Sequence, residues 1–169
     1  NMVKSPVHFH IGLCQDLRLD VAPFQSRVLR GMSSMGQAFY NPPNVRGWLY
    51  GEYWINSTTI SARRQLVDYL FANLNEKRLN GNEKRALSAA REGGRGNFLV
   101  TNERLEQVLS LASDDLAKHF TTYFITEPSR LNYSKSLKKI IGDTSSEGAA
   151  KRVRFAIIAL LQSPAYNLS

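Results

Sequence analysis

Cysteine is nearly absent: Cys14 is the only one in 169 residues. No disulfide can therefore form within the chain. Cys14 sits in an apolar pattern with Ile11 and Leu17, which reads as a small buried hydrophobe rather than a nucleophile. No run approaches the roughly 18 apolar residues that a membrane-spanning helix needs. The most apolar stretch, Phe155 to Leu161, is short and follows Lys151-Arg152-Val153-Arg154. The opening residues Met2-Val3-Lys4-Ser5-Pro6-Val7-His8 lack the apolar core of a signal peptide. Any export address is therefore expected elsewhere in a longer protein. Alternating apolar and polar residues are missing too, and Phe98-Leu99-Val100-Thr101 is too short to build a sheet. There is no repeat at solenoid spacing.

What is present suits a soluble helical chain with a real core. Hydrophobic residues make up 43%, an ordinary share for a globular protein, and the length allows one domain. The net charge is +8. Its excess is spread along the chain and peaks mildly between residues 57 and 100. Basic pairs such as Lys77-Arg78, Lys84-Arg85, Lys138-Lys139 and Lys151-Arg152 fall near helix ends or on polar faces, as a solvated surface requires. No nucleic-acid-binding motif accompanies them.

The helical period dominates. Ser5-Pro6 predicts an N-cap and first position, with a helix running to about Leu19. Asp20 is expected to cap a second helix carrying Phe24, Val28, Met32 and Met35 on one face, closed by Gly36. Asn56 or Ser57 caps a third, reaching about Glu76, with Ile60, Val67, Leu70, Phe71 and Leu74 inward. Asn80-Gly81-Asn82 caps a short helix of about Glu83 to Glu92, and Gly93-Gly94-Arg95-Gly96-Asn97 reads as a loop. A further helix starts at Thr101 or Asn102, with Leu105, Val108, Leu109 and Ala112 inward. The next is capped by Ser113-Asp114-Asp115, buries Leu116, Phe120, Tyr123 and Phe124, and stops at Glu127-Pro128. A short helix over 134–141 closes at Gly142, and the last spans about Ser146 to Gln162. The fold class is all-α: an irregular bundle of about six to eight helices in a single helical domain over residues 1–169, with one long ordered loop.

Chemical motifs are weak. His8 and His10 point apart on a helix, and His119 has no ligand-rich neighbourhood, so no metal site is expected. Ser136-Leu137-Lys138-Lys139 has the Ser-x-x-Lys spacing of penicillin-recognising enzymes, but the companion motifs are missing. Gly93-Gly94-Arg95-Gly96 does not follow a strand, which a phosphate-binding loop requires. No cofactor is implied.

The loop from Gln37 to about Asn56 is different. It holds both tryptophans, Trp48 and Trp54, among Pro42-Pro43, glycines and asparagines. A segment so rich in aromatics must be ordered by packing. Arg63 falls in the middle of the apolar face of the third helix and needs a partner there; the loop's carbonyls and aromatic faces are the expected one. Two readings stand. The tryptophans plug the helical core as a structural clasp. Alternatively, stacked tryptophan and tyrosine faces form a binding cleft for a carbohydrate or another flat polar ligand, with Gln37, Asn41, Asn44, Arg46, Asn56 and Arg63 as polar anchors beside Trp48 and Trp54. The two are compatible if one tryptophan is buried and the other exposed.

Gly36-Gln37, Pro42-Pro43-Asn44-Val45, Gly47-Trp48, Trp54-Ile55-Asn56 and Arg63-Arg64 resemble the C-terminal part of the bacterial "domain of unknown function 1800" family. Lys4-Ser5-Pro6-Val7 and Leu161-Gln162-Ser163-Pro164 resemble its flanking segments. Between its tryptophans that family usually has a Pro and a Gly-Gly pair, where this chain has Leu49-Tyr50-Gly51-Glu52-Tyr53. The resemblance implies a largely helical exported bacterial protein, periplasmic or secreted, of which this chain is the last part. It implies no activity. The expected function is a non-catalytic module binding an unknown protein or carbohydrate partner through the loop. The alternatives are part of a hydrolase acting on a cell-surface polymer and, behind it, a nucleic-acid-binding module.

Overall fold

The first helix begins where Ser5 and Pro6 place it. Ser5 Oγ accepts the His8 amide at 3.3 Å, and Pro6 occupies the first turn, where its missing N–H is no loss. The computed structural model describes residues 2–48, 50–109, 112–126 and 130–168, apart from the side chains of residues 130 and 131. Among them are eight α-helices: α1 Pro6–Asp16, α2 Gln25–Ser34, α3 Ser57–Leu70, α4 Gly81–Glu92, α5 Asn102–Glu106, α6 Ser113–Phe124, α7 Arg130–Ile141 and α8 Ala149–Leu161. Short 3₁₀ turns lie at Gly51–Trp54, Glu76–Arg78 and Ala165–Asn167. No strand longer than an isolated bridge occurs among the described residues. The chain falls into two compact units, Met2–Val100 and Thr101–Ser169.

In Met2–Val100 the caps follow the sequence closely. Asn56 and Thr59 form a reciprocal capping box at the start of α3, and Asn80 and Glu83 form another at α4. Gly36 closes α2 in a left-handed conformation at φ 100°. Its amide bonds the Ser33 carbonyl and the Gln37 amide bonds that of Met32, the paired pattern that satisfies the last carbonyls of a helix. Phe24, Met32 and Met35 are buried as the period requires, and Val28 is half-buried. Phe24 also joins Leu79, Leu87, Ala90 and Phe98 in a small core cluster.

Two expectations fail here for one reason: a distant partner outcompetes a local signal. Asp20 does not cap α2, whose N-cap, Phe24, has no side-chain bond. The Asp20 carboxylate instead accepts the Gly96 and Asn97 amides, both at 3.0 Å. The Asp20 amide in turn bonds the Asn97 carbonyl at 2.8 Å. The glycine-rich loop thus already holds a carboxylate of its own chain. Helix α3 stops at Leu70, short of Glu76. The Val100 amide takes the Leu70 carbonyl at 2.8 Å, and the freed chain lets Leu74 pack against the Phe24 cluster.

In Thr101–Ser169, α8 buries Val153, Ala156, Ile157, Leu160 and Leu161 as its period predicts. Its boundaries are tighter, because Gly148 adopts φ 77° just before it. Arg152 departs from the solvated surface expected of the basic pairs. Its guanidinium donates to the carbonyls of Ile141 (2.8 Å), Glu147 (2.9 Å) and Asp143 (2.6 Å), closing the α7–α8 connection. Helix α5 ends at Glu106 instead of running to Ala112. Ala112, not Ser113, is the N-cap of α6, and the acids Asp114 and Asp115 occupy its first turn, where they complement the helix dipole. Tyr123, expected inside, is exposed, whereas Leu116 and Phe120 are buried. Helix α6 ends at Phe124; the expected stop at Glu127-Pro128 lies outside the described residues. Helix α7 starts at Arg130, earlier than expected, and Gly142 follows its end at φ 60°.

Candidate functional site

The Trp loop leaves the α2 cap and returns to the α3 cap, so both ends are anchored by hydrogen bonds. Gln37 spans from one helix to another: its Oε1 accepts the Val7 amide at 3.2 Å, one of the N–H groups that a helix start leaves unpaired. Trp54, at the end of the Gly51–Trp54 turn, is only 6% exposed. A Cβ added to Gly36 would lie 3.8 Å from the Trp54 ring, so the indole packs on the cap of α2. The Trp54 carbonyl accepts Thr59 Oγ1 at 2.9 Å, tying it to the capping box of α3. Asn56 Oδ1 accepts the Thr58 and Thr59 amides at 3.0 and 2.9 Å.

Arg63 lies deep in this unit at 1% exposure. Its Nη2 donates to the Lys4 carbonyl at 2.7 Å, and its guanidinium sits 4.8 Å from the centre of the Phe9 ring. A carbonyl and an aromatic face are the kinds of partner the sequence calls for, and these two come from the opening segment and α1. Burial lowers the Arg63 pKa to about 10, still well above neutrality, so the group stays charged.

The outer part of the loop has another character. Trp48 is half-buried, and its Nε1 donates to the Ala38 carbonyl at 3.2 Å. Asn44 Oδ1 accepts the Arg46 amide at 2.8 Å, and the Gly47 amide bonds the Asn44 carbonyl at 3.0 Å in a tight turn. Asn41, Asn44 and Arg46 are all exposed. Tyr40 is 99% exposed, Tyr50 80% and Tyr53 61%. Tyr40 adopts φ 60°, a left-handed conformation that disfavours a bulky side chain by about 1–2 kcal/mol. The rings of Tyr50 and Tyr53 meet edge to face at 6.5 Å.

The eight candidate residues therefore divide. Gln37, Trp54, Asn56 and Arg63 make the bonds and contacts that hold α1, α2 and α3. Asn41, Asn44 and Arg46 share the outer loop with three tyrosines, and Trp48 lies between the groups. Tyrosine faces are part of the binding reading, but which tyrosines are exposed was not legible, because exposure of an aromatic has no sequence period in a loop.

This architecture of cap, buried tryptophan and α3 capping box coincides with the segments Gly36-Gln37, Trp54-Ile55-Asn56 and Arg63-Arg64. A family profile described as protein of unknown function (DUF1800) matches residues 1–168. The chain belongs to the DUF1800 family. Comparisons with curated proteins and with solved structures found no match. This DUF1800 chain has no helix among its described residues long and apolar enough to cross a membrane. No cluster of three or more His, Cys, Asp or Glu side chains suited to a metal is found among them either. Cys14 is buried, and burial pushes its thiol up to about 11, which leaves it a packing residue in the protonated form.

Proposed function

We propose that this DUF1800 chain is a non-catalytic binding domain of an exported bacterial protein, and that the outer face of its Trp loop captures a cell-surface carbohydrate. The observation that carries the reading is Tyr40: a fully exposed aromatic held in a left-handed backbone conformation. Strain of this kind persists only where the surrounding structure enforces it, and it gathers at functional sites. Tyr50 and Tyr53 add exposed rings nearby in sequence, and the amide side chains of Asn41 and Asn44 lie in the same loop. Sugar rings offer apolar C–H faces to stack on such aromatics and hydroxyls to meet the amides. The inner half of the loop, anchored through Trp54 and Asn56, supplies a rigid base for the outer half.

The test is co-sedimentation of the purified chain with insoluble peptidoglycan, chitin and cellulose. The reading expects retention on one of them, and at least a ten-fold loss in the Tyr40→Ala/Tyr50→Ala/Tyr53→Ala variant with an unchanged circular dichroism spectrum. Equal retention of the triple variant, or no retention of the natural chain on any of the three, contradicts it.

A further inference from the structure

A cleft of about 250 Å³ opens between α1, α2 and α3, on a side of the Met2–Val100 unit that the Trp-loop reading does not use. Phe24, Leu66 and Leu70 supply apolar wall, and His10, Arg27 and Tyr69 supply polar groups. The volume suits one ring or a short chain, below the usual range for drug-sized ligands.

Three features define what would fill it. His10 is 4% exposed, and its Nδ1 has no hydrogen-bond partner among the described residues. Buried polar atoms are nearly always paired. A neutral imidazole has one donor and one acceptor to satisfy. His10 lines the cleft, and a turn about its soft Cβ–Cγ bond would bring the unmet nitrogen, buried as it stands, toward a ligand there. Secondly, the cleft has no uncommitted charge among the described residues. Arg27 is its only formally charged lining residue among them, and its guanidinium grips Glu83 with two bonds, one at 2.8 Å. A charged ligand would lose water without gaining a counter-ion. Thirdly, Gly31 in the middle of α2 forms part of the wall, and a Cβ added there meets nothing within 4 Å. The space beside it is open rather than reserved for a packed neighbour.

We propose that this cleft binds a small uncharged amphipathic molecule, a phenol or short alcohol in chemical class, whose hydroxyl pairs with His10 and whose apolar body packs between Phe24 and Leu66.

The test is an NMR titration of the whole chain at pH 7.5 with phenol, benzene and benzoate. Phenol is expected to shift the resonances of His10, Gly31 and Leu66. Benzene should bind the same cleft roughly five-fold more weakly for want of one hydrogen bond, and benzoate at least ten-fold more weakly. His10→Leu should bring phenol down to the affinity of benzene. Gly31→Leu should fill the space and abolish binding of both, while the variant melts no lower than the natural chain, since the substitution also improves helix propensity. The proposal is overturned if phenol leaves those three residues unmoved, if Gly31→Leu binds phenol undiminished, or if benzoate binds as well as phenol.

Discussion

The buried guanidinium of Arg63 sits over the Phe9 ring, 4.8 Å from its centre, while its Nη2 donates to the Lys4 carbonyl at 2.7 Å. One side chain of α3 thereby fixes both the segment before α1 and the helix itself. Arg63→Met removes the donor and the charge but keeps much of the apolar stem. It is expected to lower stability by about 1–3 kcal/mol, because the Lys4 carbonyl loses its bond and the ring loses its cation. Arg63→Lys should rescue little of this, since an ammonium cannot stack as a plane. Urea denaturation of both variants checks the claim.

Gly36 combines φ 100° with a Cα that faces Trp54. Gly36→Ala introduces a methyl at ordinary contact distance, so the penalty comes from the backbone rather than from crowding. A loss of about 1–2 kcal/mol is expected in the same urea assay.

The Asp20 carboxylate is a ligand for its own chain. Asp20→Ala should cost about 1 kcal/mol, modest because the site is exposed, and should release the Gly96 and Asn97 amides. Hydrogen exchange at those two amides is the direct measurement: protection should fall there and persist in α1 and α4.

What the sequence disclosed follows the range of each interaction. Asn56, Asn80 and Gly36 act within a few residues of themselves, and their capping roles were readable. The buried face of α8 was readable for the same reason, because helical period is local. Asp20 meets amides 76 and 77 positions away, and Arg63 meets a carbonyl 59 positions away. For these the need for a partner was legible, but its identity depends on how α1, α3 and α4 come together. In the loop, turn formers marked where the chain bends, yet nothing in their order said that Trp54 would turn inward and Tyr40 outward.

His10 gives the fold a pH dependence. Burial lowers its pKa from the ordinary 6.5, so the folded state resists protonation that the unfolded chain accepts. Stability contributed by the neutral imidazole is complete above about pH 6.5. It is lost as pH falls from there to the folded pKa, by at most about 1.4 kcal/mol per pH unit. Glu83 behaves oppositely in origin: the hydrogen bond from Arg27, with the Asn80 amide, holds its carboxyl below the usual 4.5. Its contribution is present above that value and lost at lower pH. Denaturation curves between pH 7.5 and 5 should therefore slope in the natural chain and flatten in His10→Gln.

Tyr40→Gly separates strain from binding in one molecule. Glycine accepts φ 60° freely, so relief of the backbone should raise stability by about 1 kcal/mol. The same change removes the exposed ring. Urea denaturation and polysaccharide co-sedimentation of this single variant are expected to show a more stable chain that is retained several-fold less. A variant that is less stable, or one retained like the natural chain, would contradict the account of the outer loop as a strained binding surface.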